Sequence, residues 1–256
     1  MKRFLKAFSD YEIVKWIIIE SNSTDDSPLV IEEYSKEYKF IYIESINSSD
    51  KYYPQRTQKL AHARNRYLQI LSELQKKQKI DYLVVCDLNN LNNKLTKKAV
   101  ASCAKVSNWG ALTANQKGPY YDIWALRHKH WNDADCWKRY EDLVKFYPNK
   151  YLALWDSVYS KMIKIYPDKA PIKVDSAFGG LAIYRAEYLY KCRYVGKSEN
   201  NQQICEHISF HKQFTKNGGD IYINPALINL KYTDHSLRKK YFAYFNFTYF
   251  IRQIMP

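Results

Sequence analysis

A chain of 256 residues, 46% hydrophobic and 26% charged, has globular composition and enough length to bury a sizeable core. Its formal net charge of +14 favours anionic partners, whether nucleic acid, acidic lipid head groups or nucleotide diphosphates, without choosing among them. No apolar run reaches the roughly 18 residues of a membrane-spanning helix, and MKRFLKAFSDYE has no signal-peptide stretch, so the expectation is a soluble, cytoplasmic protein.

The first predicted strand is IVKWIIIE (13–20), a β-branched run closing on the turn cluster SNSTDDS. FIYIES (40–45) is the second. After Pro54, Leu60, Ala63, Tyr67, Ile70 and Leu74 recur on one face of a helix that dissolves into KKQK. Within it, RTQKLAHARNRYL (56–68) carries Arg56, Lys59, Arg64 and Arg66. Arg64 and Asn65 interrupt the amphipathic order where the helix should rest on a sheet. A guanidinium there can pair with phosphate or with Asp87, or it can belong to a solvated basic face.

DYLVVCD (81–87) is the third strand, and it ends in Asp87 followed by a run of asparagines. With Leu88 expected to point into the sheet, Asp87 and Asn89 can share Mn²⁺ or Mg²⁺ with a diphosphate. The same residues also suit a capping Asx turn or a plain polar loop. LTKKAVASCAKV (95–106) reads as a helix and WGALTAN (109–115) as a strand.

In the second half, YYDIWALRH (120–128) is expected to be a strand facing a site, with helices over 133–147 and 152–166. GGLAIYR (179–185) is a short strand whose Gly179 and Gly180 suit a turn or a close backbone approach to a ligand. CEHISFHKQFTKNGG (205–219) is a helix with a glycine stop, and DIYINP (220–225) closes the sheet. Glu206 can serve as a general base or simply as a carboxylate favoured at a helix N-terminus. His207 and His211 are four apart but lack a third ligand, so no zinc site is expected. The five cysteines form no CxxC pair and read as reduced thiols. The alternation predicts an α/β fold, one domain with a mostly parallel sheet flanked by helices. Functional residues then belong at the carboxyl ends of strands.

In chain order, IIIESNSTDDS, RTQKLAHARNRYL, DYLVVCDLNN, ALTANQKGPYYDIWALRH, VDSAFGGLAIYR and CEHISFH with IYINPALIN resemble the motifs of GT-A-fold glycosyltransferases. They resemble more closely the bacterial and viral sugar transferases related to capsule-associated mannosyltransferases, over most of the chain. The resemblance implies a GDP- or UDP-linked sugar donor and a glycan or lipid-linked acceptor, in surface polysaccharide or glycan synthesis. It implies Glu20 and Asp25 at the base or ribose, Arg64 at the diphosphate, and Asn65 among the residues that bind the nucleotide-sugar. Asp87, Asn89 and His235 would form the metal set. Tyr121, Asp122, Trp124 and Arg127 would line the sugar and acceptor region, with Asp122 and Arg127 joining Glu206 in catalysis. Gly179 and Gly180 would border the bound substrates. Residues 1–116 would form the nucleotide-sugar half and 117–235 the acceptor half, leaving 236–256 as a basic aromatic segment.

Two departures stand out. Asn89 replaces the second carboxylate of a DLDG-like motif, which lowers cation affinity, and the family's usual first strand is not recognisable before YEIVKWIIIE. Two rival readings are a basic nucleic-acid-binding protein and an inactive sugar-binding relative. The basic residues are spread along the chain, so no nucleic acid is expected. LRKKYFAYFNFTYFIRQIMP (237–256) suits either a packed terminal helix or contact with the anionic inner face of a membrane.

Overall fold

The computed structural model describes residues 1–46, 51–88, 90–239 and 241–243. Asn89 and residues 244–256 of the basic aromatic segment lie outside this set. The elements are α1 (Lys2–Ala7), β1 (Trp16–Glu20), α2 (Ser27–Glu37), β2 (Ile41–Ser45), α3 (Arg56–Gln75), β3 (Tyr82–Cys86) and α4 (Lys97–Ala101). There follow β4 (Ala111–Gln116), α5 (Cys136–Leu143), α6 (Lys150–Leu154), β5 (Ile172–Val174), β6 (Leu181–Arg185), α7 (Glu206–Lys216) and β7 (Ile221–Leu230). Residues 234–239 and 241–243 are again helical.

The α/β class stands, but the sheet is not mostly parallel. β1 and β2 pair in parallel as a two-stranded ribbon. The larger sheet has the order β3-β6-β4-β7-β5, and only β4–β7 is parallel in it. Apolar strands buried on both faces look alike whichever way they run. β6 runs in the same direction as β5 and is inserted between β3 and β4, antiparallel to both. That insertion matters for the site: register Cys86↔Leu181 brings the turn before β6 beside the carboxyl end of β3.

β4 is buried at every position, and the adjoining core contains Tyr184, Phe210 and Phe214. Each such aromatic contributes on the order of 1.5–3 kcal/mol through removal from water. A reciprocal capping box between Gln55 and Gln58 starts α3. Its deepest stripe is Thr57, Ala61, Arg64 and Leu71, rotated from the apolar face that periodicity marks. Leu60, Ala63, Tyr67 and Leu74 instead wall a cleft against β1. The helix thus uses two faces, and Arg64 sits on the buried one.

The 120–128 stretch is not a strand. Asp122 accepts the Ala125 N–H (3.4 Å), and the buried Asn132 amide donates to the carbonyls of Ile123 (2.9 Å) and Leu126 (2.8 Å). Those carbonyls are therefore unavailable to a ladder, and only isolated bridges, from Arg127 to Ser176 and from His128 to Asn132, are found in the stretch. Leu88 is exposed rather than turned into the sheet. The helix expected over 152–166 begins earlier, at α6, and ends in a π-helical turn at Trp155–Tyr159. α2 and β5 fall where the sequence reading assigned no element.

Candidate active site

Asp87 lies one residue beyond β3, and its backbone N–H donates to Gly180 O (3.1 Å). Gly179 and Gly180 both have left-handed backbones, with φ of +68° and +84°. A Cβ at 179 would come within 2.6 Å of the Ala114 carbonyl oxygen, and one at 180 within 3.1 Å of Tyr121 Oη. Conformation and space both require glycine here.

A buried amide lattice holds this turn. Asn229 Nδ2 donates to Gly179 O (2.8 Å) and to Asn92 Oδ1 (2.9 Å). Asn92 Nδ2 in turn donates to Asp87 O (2.8 Å) and Gly180 O (3.0 Å), and Gln116 Nε2 reaches Gly179 O (3.2 Å). Of the asparagines after Asp87, Asn92 braces the strand mouth. Sequence reading missed Asn92, Gln116 and Asn229; the available signal was amides at strand ends, where apolar residues would ordinarily continue.

Arg64 is buried at the centre of the site. Its Nη2 donates to Asp87 Oδ1 (3.2 Å) and its Nε to Glu206 Oε1 (3.1 Å). The guanidinium carbon lies 5.0 Å from the Phe178 ring centroid and 5.7 Å from that of Tyr194. Burial pulls its pKa down, but Asp87 and then Glu206 outweigh this and hold it well above the ordinary arginine value. Of the alternatives open to Arg64 in the sequence, the pairing with Asp87 is present, with Glu206 as a second carboxylate.

Asp122 Oδ2 accepts the Gly179 N–H (2.9 Å). Loss of water raises its carboxyl to about 6, its two backbone donors oppose the shift, and Asp87 and Glu206 add to it. Beside Glu206, the ring of the buried His207 stacks on Phe178 at 4.1 Å, and His211 is held between Ser176 Oγ (2.7 Å) and Tyr184 Oη (2.9 Å). Burial, then Arg64, keeps both imidazoles neutral, His211 falling to about 3.

Other residues singled out from sequence have structural partners. The Asn65 side chain exchanges two hydrogen bonds with the Tyr194 backbone, both 2.9 Å. Arg127 donates to the carbonyls of Trp124 (2.9 Å) and Leu126 (2.7 Å) and pairs with Asp135 (3.3 Å), which also accepts Trp124 Nε1 (2.9 Å). Glu20 accepts the Ser23 N–H, and exposed Asp25 accepts that of Ser27 (3.0 Å), so both shape the loop after β1. His235 lies in the helix after β7, where it keeps a solvent-exposed side. Partial loss of water around the imidazole lowers its pKa, with Arg238 and Arg56 adding to the effect.

A cleft of about 820 Å³ lies between β1 and β3, and Arg64 and Asp87 are among the residues that line it. Among the described residues, no three carboxylate, thiol or imidazole groups are set to hold a metal ion. Asp87, Asp122 and Glu206 outnumber Arg64, so a diphosphate entering alone meets excess negative charge. This donor set suits a divalent cation that arrives with phosphate ligands, since Mg²⁺ is commonly held by one or two carboxylates plus substrate phosphates.

Residues 10–213 match the family described as cryptococcal mannosyltransferase 1. A comparison with curated proteins finds no match. The matched span takes in α3, the mouth of β3, the diglycine turn and Glu206. The chain belongs to the cryptococcal mannosyltransferase 1 family, a mannosyltransferase-related group.

Proposed function

We propose that the protein transfers a sugar from a GDP- or UDP-linked donor to a hydroxyl of a glycan or lipid-linked acceptor, on a GT-A-like scaffold. The carrying observation is Arg64, buried between Asp87 and Glu206 at the carboxyl end of β3 in a chain of a mannosyltransferase family. Departure of the nucleoside diphosphate leaves negative charge on its oxygens, and a fixed guanidinium in a water-poor site stabilises it. A cation bound with the donor at Asp87, and at Asn89, would neutralise part of the same charge. Arg64 turns from its carboxylate partners towards the diphosphate and frees Glu206 to accept the acceptor hydroxyl proton in an inverting reaction. Asp122 holds the diglycine turn against the donor. Tyr121, at Gly180, lines the acceptor side.

The test is nucleotide release from GDP- and UDP-sugars, with and without Mn²⁺ or Mg²⁺ and glycan acceptors. At least one donor should be turned over, and D87N should abolish turnover while remaining folded. Turnover undiminished in D87N, or no donor consumed under any condition, would count against the proposal. E206Q separates the stereochemical routes: loss of transfer with donor binding retained fits an inverting base, and undiminished transfer removes Glu206 from proton transfer.

A further inference from the structure

The helical residues 234–239 and 241–243 lie across α6 and the loop that follows it. Lys239 Nζ donates to Met162 O (2.6 Å) and stands 5.8 Å from the Trp155 ring, while Phe242 stacks on Tyr159 at 4.4 Å. With these side chains turned inward, Leu237 and Tyr241 face solvent, Tyr241 being 76% exposed. The neighbouring loop exposes Ile163 and Tyr166, the latter 52% exposed, with Lys164 Nζ 4.6 Å from the Tyr166 ring. Exposed Lys150 opens α6, its Nζ 5.5 Å from the Tyr151 ring, which lies 5.9 Å from that of Phe242.

Aromatic rings and aliphatic side chains interleaved with lysines suit the head-group level of a bilayer, where the rings partition and the ammonium groups meet lipid phosphate. The net charge of +14 biases such a face towards acidic lipids. The face also adjoins the site. Pro119 bridges to Lys164, the Tyr120 N–H donates to Ile163 O (2.8 Å), and the next residue, Tyr121, borders Gly180.

We infer that the surface formed by Lys150, Ile163, Lys164, Tyr166, Leu237 and Tyr241 docks on an anionic phospholipid bilayer. Docking there presents a lipid-linked acceptor to the Tyr121 side of the site; this last clause rests on the sugar-transfer reading, whereas the docking does not. The face is made of described residues and does not depend on residues 244–256.

The test is co-sedimentation of the full chain with phosphatidylcholine vesicles, with and without phosphatidylserine. Binding should favour the phosphatidylserine vesicles, and K150E/K164E should weaken it about tenfold or more. Y166S/Y241S should weaken binding to a similar degree, and both variants should melt as the wild type does. The inference is overturned if the folded intact chain ignores acidic vesicles, if both variants bind as well as the wild type, or if the same lysines serve salt-sensitive RNA binding without vesicle binding. Vesicle binding is read without any donor, so its failure leaves transfer to soluble acceptors intact, and failure of transfer leaves vesicle binding intact.

Discussion

Arg64 and Glu206, 142 residues apart in sequence, meet at 3.1 Å as a buried ion pair, and the same guanidinium reaches Asp87 at the strand mouth. Removing the cation strands Glu206, whose side chain is only 5% exposed, without a counter-charge. R64M should therefore cost about 3–5 kcal/mol of stability. E206Q keeps an acceptor for the Arg64 N–H and should cost about 1–2 kcal/mol. Urea denaturation of both variants measures the difference, and equal losses would contradict the pairing.

Asp122 gives a pH signature of known sign. Its folded pKa, about 6, lies above the unfolded carboxylate value of roughly 3.9. The folded state therefore binds more protons between these values. The stabilisation from this group is complete below about pH 4 and is lost as pH rises through about 6. D122N keeps an oxygen for the Gly179 N–H and removes the titration. The stability of wild type relative to D122N should fall by about 2 kcal/mol from pH 4 to pH 7. Parallel stability–pH curves would remove Asp122 from that role.

The two glycines should respond unequally to alanine. Both positions force a side chain into the left-handed region, a strain of about 1–2 kcal/mol. At Gly179 a Cβ also meets a backbone carbonyl at 2.6 Å, whereas at Gly180 the nearest atom is the Tyr121 hydroxyl at 3.1 Å. G179A should lose more than about 2 kcal/mol and G180A about 1–2 kcal/mol, read from denaturant midpoints.

Asn65 distinguishes a brace from a ligand. Its amide is committed to the Tyr194 backbone through two hydrogen bonds. N65A should lower stability by about 1–3 kcal/mol and leave the donor KM unchanged. A raised KM at unchanged stability would return Asn65 to the donor-binding residues, where the sequence resemblance puts it.

Parts of this site were legible in the sequence because they break a pattern. Arg64 interrupts an apolar helix, Asp87 ends an apolar strand, and Gly179–Gly180 precede another strand. Each violates the local rule, and the structure gathers all three at one mouth. What could not be read was strand direction, since β6 is as apolar as a parallel neighbour would be. The amide lattice was hidden too, because Asn92, Gln116 and Asn229 become partners only once β7 runs beside β4. The 120–128 stretch misled for a similar reason: its short apolar and aromatic run suits a strand, but Asn132, several positions onward, takes the carbonyls a strand would have used.

The central claim is that a nucleoside diphosphate docks where Arg64 faces Asp87. Thermal melting of wild type, D87N and R64K with GDP, UDP and their sugar conjugates, with and without Mn²⁺, measures this most directly, because a ligand bound only by the folded state raises Tm. One nucleotide should raise the Tm of the wild type, and the rise should vanish in D87N and shrink in R64K. An equal rise in all three proteins would contradict the claim.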